Sequence, residues 1–319
     1  FQPDWTWLKK RNGTANHQLV DAVRGAGYYL YGNLSNAEGG NGSALLTSFN
    51  TDGFTLDAGA DSNASGATGV SWNWKANGAG SANTDGATAS TVSANTTSGF
   101  SIVKYTGTGS QTTIGHGLGI TPKMIIVKRL QNAEDFAVYH ASNGAGTYQS
   151  LNTTEAKQTN ANRFNVAPTS SVFTVNTHES VNFAENYIAY CFAEKQGYSK
   201  FGSYVGANSN DGAFLYLGFK PAFIMVKAVS GSNTPGSQNW VILDNKRSSS
   251  GGNNVIQYKL FPSASDAENT AENNHADFLS NGVKFRGGND ATNGNNTYIY
   301  MAFAEAPLVG SNNTPCTAR

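Results

Sequence analysis

Short segments in which apolar and polar residues alternate recur along the whole chain. Residues 70–76, with the sequence VSWNWKA, place three bulky side chains on one side and polar side chains on the other. Because successive side chains of a strand point to opposite faces of a sheet, this alternation predicts a strand with one buried face. The denser runs KMIIVK and FIMVK predict strands covered on both faces, with Lys128 and Lys227 at their rim. Clusters of Gly, Asn, Asp and Ser predict the turns between strands, and helical periodicity is scarce.

These segments recur in three copies with their landmarks in the same order. Each copy has a strand in which a lysine follows a proline by six residues, at Pro3 and Lys9, Pro122 and Lys128, and Pro221 and Lys227. A second run then ends at a polar residue, at Asp21, His140 and Asp244. Each copy closes with an alternating apolar strand, at residues 70–76, 187–194 and 298–305. The copies are about 100 residues apart, the size of a small β-domain rather than of a solenoid repeat.

The landmarks predict an all-β chain built of tandem β-sandwich or jelly-roll-like domains of about 100 residues. The predicted organisation is a first β-domain, a Gly/Ser/Thr/Asn linker, a second β-domain, a third β-domain and a C-terminal tail, at residues 1–76, 77–98, 99–195, 196–306 and 307–319. The second and third domains begin with the lead-in sequences GFSIVKYTGTG and GYSKFGSYVGA, which the first domain lacks. We expect upstream sequence, or strands donated by a neighbouring chain, to complete the first domain.

Composition narrows the possible partners. Lys and Arg balance Asp and Glu at 21 residues each, so no basic face is available for nucleic acid. No apolar run approaches the length of about eighteen residues that a transmembrane helix needs, and no membrane insertion is predicted. The two cysteines, Cys191 and Cys316, are too few for a disulfide framework or a cysteine zinc site. Cys191 lies in an apolar stretch and is predicted to be a buried small side chain.

Candidate chemistry is sparse, and the chain is predicted to be non-enzymatic. The five histidines show no metal-binding spacing, and no nucleophile elbow or phosphate-binding loop is present. Asp57, Asp61 and Asn63 lie close together and loosely resemble a calcium loop, but the closing glutamate and the usual order of ligands are missing. We therefore predict no cofactor and no metal site, and calcium at these three residues is the alternative.

Exposed aromatic residues are the remaining candidates for a ligand contact. The tryptophans Trp5, Trp7, Trp72, Trp74 and Trp240 lie in predicted strands and are assigned to the core. Tyr28, Tyr29 and Tyr31 cannot all point to one face of a strand, so at least one is predicted to be exposed. These three tyrosines are the candidate contacts to a glycan or to a partner surface.

Several longer motifs resemble one known family. They are FQPDWTWLKKRN, DAVRGA, SFNTDGFTL and SWNWKA in the first copy, and SIVKYTGTGSQTTIGHGLGITPKMIIVK, YSKFGSY and TYIYMAFAE further along. Together they resemble a domain family common in tail-fibre-like structural proteins of marine bacteriophages, and the resemblance covers nearly the whole chain. It implies a structural role in the virion and carries over no catalytic residues.

The leading hypothesis is a virion tail fibre or receptor-binding protein on the particle exterior. It would assemble as a homo-oligomer, with a trimer expected, and contact other virion proteins and a host-surface glycan. Three alternatives remain open: a capsid decoration or head-fibre protein, an extracellular filament subunit joined by strand donation, and a glycan-cleaving tailspike enzyme.

Overall fold

The computed structural model of the protein describes residues 1–40, 45–58, 61–230, 238–247, 256–270, 275–288 and 291–305. These residues form antiparallel sheets, and the helical structure among them is a three-residue 3₁₀ helix at Asp61–Asn63. The all-β prediction is confirmed. No helix in this part of the chain is long and apolar enough to cross a membrane. The tail predicted at 307–319 lies outside the described residues.

The chain divides into two compact units. The first unit contains Phe1–Thr153, Gln158–Ala193 and Ser263–Ala267, and the second contains Thr154–Lys157, Glu194–Pro262 and Glu268–Arg319. The first two predicted β-domains therefore lie in one unit. Each unit also includes a short segment whose neighbours in the sequence belong to the other unit: Ser263–Ala267 in the first unit and Thr154–Lys157 in the second. We call residues 1–76, 99–195 and 196–306 the first, second and third repeat.

The first repeat forms a five-stranded sheet in the order β4-β3-β2-β1-β7. β5 and β6, which lie between β4 and β7 in the sequence, form a separate two-stranded hairpin. Its strands are β1 Trp5–Lys10, β2 Gln18–Asp21, β3 Tyr28–Tyr31, β4 Gly39–Gly40, β5 Leu46–Asn50, β6 Gly53–Leu56 and β7 Gly69–Trp74. Trp5, Trp7, Trp72 and Trp74 are buried, which confirms their assignment to the core. The ring of Trp5 stacks on Tyr190 of the second repeat, with the ring centroids 4.4 Å apart. The first unit is thus held together by aromatic side chains from two repeats.

The second repeat contributes an eight-stranded sheet in the order β15-β14-β13-β12-β17-β10-β9-β8, and a two-stranded sheet of β11 and β16. The strands are β8 Ser81–Asn83, β9 Ser90–Asn95, β10 Phe100–Thr106, β11 Thr112–Gly115, β12 Met124–Arg129, β13 Ala137–His140, β14 Thr147–Ser150, β15 Gln158–Thr159, β16 Val172–Val175 and β17 Asn186–Phe192. Side chains from both sheets, including Ile114, Phe173 and Tyr187, form one buried cluster, as expected for a sandwich. Cys191 lies on the central strand β17 and is fully buried, as predicted.

Residues 77–98 are part of this sheet, whereas their composition predicts a linker. β9 pairs along β10 from Phe100↔Asn95 to Tyr105↔Ser90, and β8 pairs with β9. The segment holds one bulky apolar residue, Val92, which is buried. Its pairing depends on main-chain hydrogen bonds, which composition does not reveal, because every non-proline residue can make them.

The third repeat has a four-stranded sheet in the order β18-β24-β20-β21 and a three-stranded sheet in the order β19-β23-β22. Its strands are β18 Ser199–Val205, β19 Phe214–Tyr216, β20 Pro221–Ala228, β21 Val241–Asp244, β22 Ala276–Leu279, β23 Gly282–Phe285 and β24 Thr297–Ala304. Trp240 is buried, and both sheets share a core cluster that contains Leu215, Ile224 and Phe285.

The second and third repeats share contacts that pattern analysis does not reveal. The hydroxyl of Tyr105 donates to the carbonyl of Val181 at 2.6 Å, and the hydroxyl of Tyr204 donates to the carbonyl of Thr292 at 2.5 Å. The ring of Tyr105 stacks on Tyr187. In the third repeat Tyr204 stacks on Tyr298 in the same way. The copied sequence therefore forms copied packing in these two repeats.

Candidate functional site

Two matching networks of buried charged side chains lie in the first and third repeats. Arg24 Nε lies 2.5 Å from Asp21 Oδ2, and Arg24 Nη1 lies 3.1 Å from Glu38 Oε1. Arg24 Nη2 also donates to the carbonyl of Leu19 at 3.0 Å. Burial lowers the pKa of Arg24, but the nearby Asp21, Tyr190 and Glu38 outweigh it and leave the pKa raised. The guanidinium stays charged and links three parts of the first unit.

The third repeat builds the same network. Arg247 Nε lies 2.5 Å from Asp244 Oδ2, and Arg247 Nη1 lies 2.6 Å from Glu268 Oε1. Arg247 Nη2 donates to the carbonyl of Ile242 at 3.1 Å. His140 occupies the matching place in the second repeat, where its Nδ1 accepts a hydrogen bond from the backbone of Ser142 at 3.2 Å. The polar strand-end role expected for His140 is what the structure shows.

The lysines that end the proline–lysine strands are buried, although the sequence placed Lys128 and Lys227 at the rim. Lys128 Nζ donates to the carbonyl of Arg129 at 2.9 Å and to the carbonyl of Ser35 at 3.2 Å. Lys9 Nζ donates to the carbonyl of Lys10 at 2.7 Å and is 3.4 Å from the carbonyl of Ser265. Lys227 Nζ donates to the carbonyl of Gln238. Burial lowers the pKa of Lys128 to about 8 and that of Lys227 to about 7.

Three short segments, which we call the tie segments, reach from one repeat to the strand-end region of another. They are residues 35–38, Thr154–Lys157 and Ser263–Ala267. The backbone of Glu38 donates to the carbonyl of Leu130, and the backbone of Lys157 donates to the carbonyl of Val229. The backbone of Ala15 donates to the carbonyl of Ser265. The backbone groups of the tie segments therefore form internal links between repeats.

The three predicted aromatic candidates are only partly accessible. Tyr28 is 38% exposed, while Tyr29 and Tyr31 are half-buried with their rings 5.0 Å apart. Burial and a hydrogen bond with Tyr29 raise the pKa of Tyr31 to about 12. One tyrosine therefore faces solvent, in line with the strand geometry.

The three calcium candidates are exposed. The side-chain amide of Asn63 donates to the carbonyl of Asp57 at 3.0 Å, and Asp61 begins the 3₁₀ helix. In the part of the chain that the structure describes, no group of three or more His, Cys, Asp or Glu side chains is placed to hold a metal ion. The prediction remains that no metal binds here, with calcium at these three residues as the alternative.

A groove on the second unit is a ligand-sized site that sequence reasoning missed. It has a volume of about 420 Å³ and is lined by residues that include Glu194, Gln196, Lys200, Tyr216, Leu217 and Phe219. Tyr216 is 59% exposed and Phe214, on the same side of β19, is 48% exposed. The run FLYLG at residues 214–218 could have indicated this exposed aromatic pair. When Leu215 and Leu217 face the core, the alternation of a strand must turn Phe214 and Tyr216 outwards.

Charged groups frame the exposed ring of Tyr216. Lys200 Nζ lies 5.1 Å from the ring centroid and donates to the carbonyl of Tyr216 at 3.1 Å. A carboxylate oxygen of Glu194 accepts a hydrogen bond from the backbone of Phe201 at 3.2 Å. Gly218 follows with a φ of 82°, a conformation that favours glycine and places a turn directly beneath the ring. The groove thus combines an aromatic face, one positive group and one negative group.

The fold and its polar groups define a class of protein: an all-β, sandwich-like chain of related repeats that is linked internally by buried charges. The chain belongs to the family described as "Domain of unknown function (DUF7483)", whose model matches residues 1–307. No curated protein and no solved structure matches the chain significantly.

Proposed function

We propose that the protein is a non-enzymatic structural component of a bacteriophage virion, a tail fibre or receptor-binding protein on the particle exterior. The observation that carries the proposal is the matching pair of buried networks around Arg24 and Arg247. They place charged groups in repeated internal links within each unit, which suits a structural protein built of modules. The resemblance of the sequence motifs to tail-fibre-like proteins supports the same role.

Labelling of virus particles tests the location. An antiserum against the purified protein should decorate fibres at the tail in negative-stain electron micrographs of purified particles. Label on the capsid surface would favour the decoration or head-fibre alternative. Protein that is found in infected lysates but in no purified particle would reject a virion role.

The assembly state tests the expected homotrimer. Size-exclusion chromatography with light scattering should give the mass of three chains. A monomer would contradict this expectation. Long polymers that dissociate when an edge strand is blocked would favour the filament alternative, in which chains join by donated strands.

We also propose that the protein binds a host-surface glycan. The exposure of Tyr28 supports this proposal, because aromatic faces pack against sugar rings. Binding on a glycan array should be lost in Tyr28→Ala and kept in Phe183→Ala, which removes another exposed aromatic ring. Repeating the array with a chelator, and with Asp61→Asn, tests the calcium candidates. Release of new reducing ends from a bound polysaccharide would instead support the tailspike enzyme.

A further inference from the structure

One side of the sandwich is covered by chain in the second repeat, whereas none of the described residues covers the corresponding side of the third repeat. In the second repeat β9 pairs with β10 over six residue pairs, from Phe100↔Asn95 to Tyr105↔Ser90. β18 is the strand of the third repeat that corresponds to β10, and it is the edge strand of its sheet among the described residues. The side chain of Val205 on β18 is 66% exposed.

We call residues 81–95, which include β8 and β9, the cover of the second repeat. The cover also contacts the smaller sheet, which consists of β11 and β16. The backbone of Thr88 donates to the carbonyl of Thr113 at 3.1 Å, and Thr88 forms a parallel bridge with Ile114 on β11. The approach is close, because a Cβ at Gly86 would lie 2.4 Å from the carbonyl oxygen of Thr113. One extended segment of small residues, 81–95, therefore closes the gap between β10 and β11.

The third repeat follows the second through too short a connection to contain such a cover. β17 ends at Phe192 and β18 begins at Ser199, whereas 25 residues separate the end of β7 from the start of β10. β19, which corresponds to β11, exposes Phe214 and Tyr216 where the second repeat has its cover. The groove of about 420 Å³ lies on this side of the second unit.

The backbone of β18 is suited to receive a strand. Gly206 donates to the carbonyl of Asn296, and Ala304 donates to the carbonyl of Tyr198, so the even-numbered residues of β18 pair with β24. Because hydrogen-bonding direction alternates along a strand, the N–H and C=O groups of Ser203 and Val205 face away from β24. An arriving antiparallel strand would pair at Ser203 and Val205, because nearer the start of β18 the N–H of Phe201 already donates to a carboxylate oxygen of Glu194 and Ser199 bridges Lys195.

We propose that this side of the third repeat, from the edge of β18 at Ser203 and Val205 to the groove beside Tyr216, binds an extended polypeptide segment of a neighbouring protein subunit, rich in Ser, Thr, Ala and Gly, as an added antiparallel strand on β18. Main-chain hydrogen bonds supply the affinity in this mode of recognition, and the flanking side chains supply the specificity. A peptide is favoured over a sugar because this chain already fills the corresponding side of its second repeat with a peptide of that composition. The proposal goes beyond the virion role and does not depend on it.

The probe for the test is a fluorescein-labelled synthetic peptide of residues 79–97, AGSANTDGATASTVSANTT, added to the intact protein. Anisotropy should show saturable binding, and hydrogen exchange should slow in the fragments that contain β18 and β19. A scrambled peptide of the same composition should bind at least about tenfold more weakly, because small-residue composition alone does not set the strand register. Equal binding of both peptides, or no slowing in β18, overturns the proposal.

Two variants locate the binding site. Val205→Pro removes an outward N–H, which an edge strand tolerates, and should weaken the binding of the peptide by roughly tenfold. Tyr216→Ala removes an exposed ring and should weaken binding as well, whereas Phe183→Ala should not. Circular dichroism and the Tm of each variant verify that it is folded, and binding that is unchanged in both folded variants overturns the proposal.

Other occupants are separate outcomes of the same experiment. Oligosaccharides that bind in a Tyr216-dependent way, while the peptide does not bind, would overturn the proposal in favour of a glycan groove. Self-association that Val205→Pro abolishes and that excess peptide fails to compete would overturn it in favour of a second copy of this chain. Competition by the peptide at the groove supports the proposal.

Discussion

At the scale of single residues, the buried arginines are the most informative side chains. Arg24 and Arg247 each contact a carboxylate three residues before them and a second carboxylate on a distant segment. Their side chains are almost completely removed from solvent. Removing one partner of such a pair leaves a charge buried without compensation, which costs much more than losing a surface salt bridge.

Arg24→Ala should lower the free energy of unfolding by about 3–5 kcal/mol, because Asp21 would remain buried without its guanidinium. Arg247→Ala should have an effect of similar size on the second unit, since its hydrogen bonds match. Urea denaturation measures both effects. Lys75→Ala, at an exposed position, serves as the control and should change stability by less than about 0.5 kcal/mol. Equal stability of Arg24→Ala and the wild type would contradict the role of the network.

The buried lysines predict a pH dependence. Lys227 and Lys128 have folded-state pKa values of about 7 and about 8, below the value of an unfolded lysine. Between these values and about pH 10 the unfolded chain binds more protons than the folded chain, so stability should rise as the pH rises. In urea denaturation we expect a gain between pH 7 and pH 9 of about 2 kcal/mol in the second unit, which contains Lys227, and of about 1 kcal/mol in the first unit, which contains Lys128.

Lys227→Met should remove the gain of the second unit and leave that of the first unit, to which Lys128 belongs. Lys75→Met, at an exposed position, should leave the gain unchanged. A flat profile for the wild type between pH 7 and pH 9 would show that the two lysines keep ordinary pKa values in the folded protein.

The residue types allowed some of these features to be predicted and hid others. Burial of the tryptophans follows from alternation, because bulky residues on one face of a strand must find a core. Burial of Lys128 does not follow, because one of its two carbonyl acceptors belongs to Ser35, which is 93 residues away in the sequence. The exposure of Tyr216 could not be predicted for a related reason. The sequence shows an apolar run but does not show which of its faces is packed against other residues.

At the scale of elements, two matching close approaches lie at the glycines that follow β10 and β18 in the second and third repeats. A Cβ at Gly107 would lie 2.2 Å from the carbonyl oxygen of Phe183, and a Cβ at Gly206 would lie 2.0 Å from that of Gly294. Both obstacles are backbone atoms, so a side-chain rotation cannot relieve them. The lead-in strands therefore end where only glycine fits.

Gly206→Ala should destabilise the second unit by about 2–3 kcal/mol, and Gly107→Ala should do the same for the first unit. Thermal unfolding followed by circular dichroism measures both changes. Gly53→Ala is the matched control, because nothing lies within 4 Å of its added Cβ. If all three variants melted together with the wild type, the two backbone approaches would be looser than the structure shows.

The strand edges explain why the cover of the second repeat escaped sequence reasoning. Its residues are small and polar, and strands of that kind carry no hydrophobic period. Their strand conformation depends on pairing with the edge of β10, and β10 can be predicted as a strand from the sequence. A segment whose structure depends on a neighbour can be located only after that neighbour has been placed.

At the scale of the whole molecule, the exchange of tie segments links parts of the chain that are distant in sequence. The first unit includes Ser263–Ala267, and the second includes Thr154–Lys157. Ser265 supplies carbonyl contacts to Ala15 and Lys9. A fragment that ends before the third repeat would remove this acceptor from the buried N–H of Ala15, and a buried donor without an acceptor is costly.

A fragment of residues 1–193 should therefore unfold at a lower urea concentration than the same region in the intact chain. Tryptophan fluorescence follows this region when Trp240 is replaced by Phe, because the other four tryptophans belong to the first unit. A synthetic peptide of residues 261–268 should raise the midpoint of the fragment, and a scrambled peptide should not. Identical midpoints for fragment and intact chain would show that the segment contributes nothing.

The fully buried thiol of Cys191 has a practical consequence. Burial raises the pKa of this thiol, and its strand lies between two neighbours in the middle of the largest sheet. In a Cys316→Ser background, a thiol reagent can reach the sulfur only during a transient separation of those strands. The labelling rate, measured against urea concentration, would then report how often the centre of the first unit opens by local unfolding.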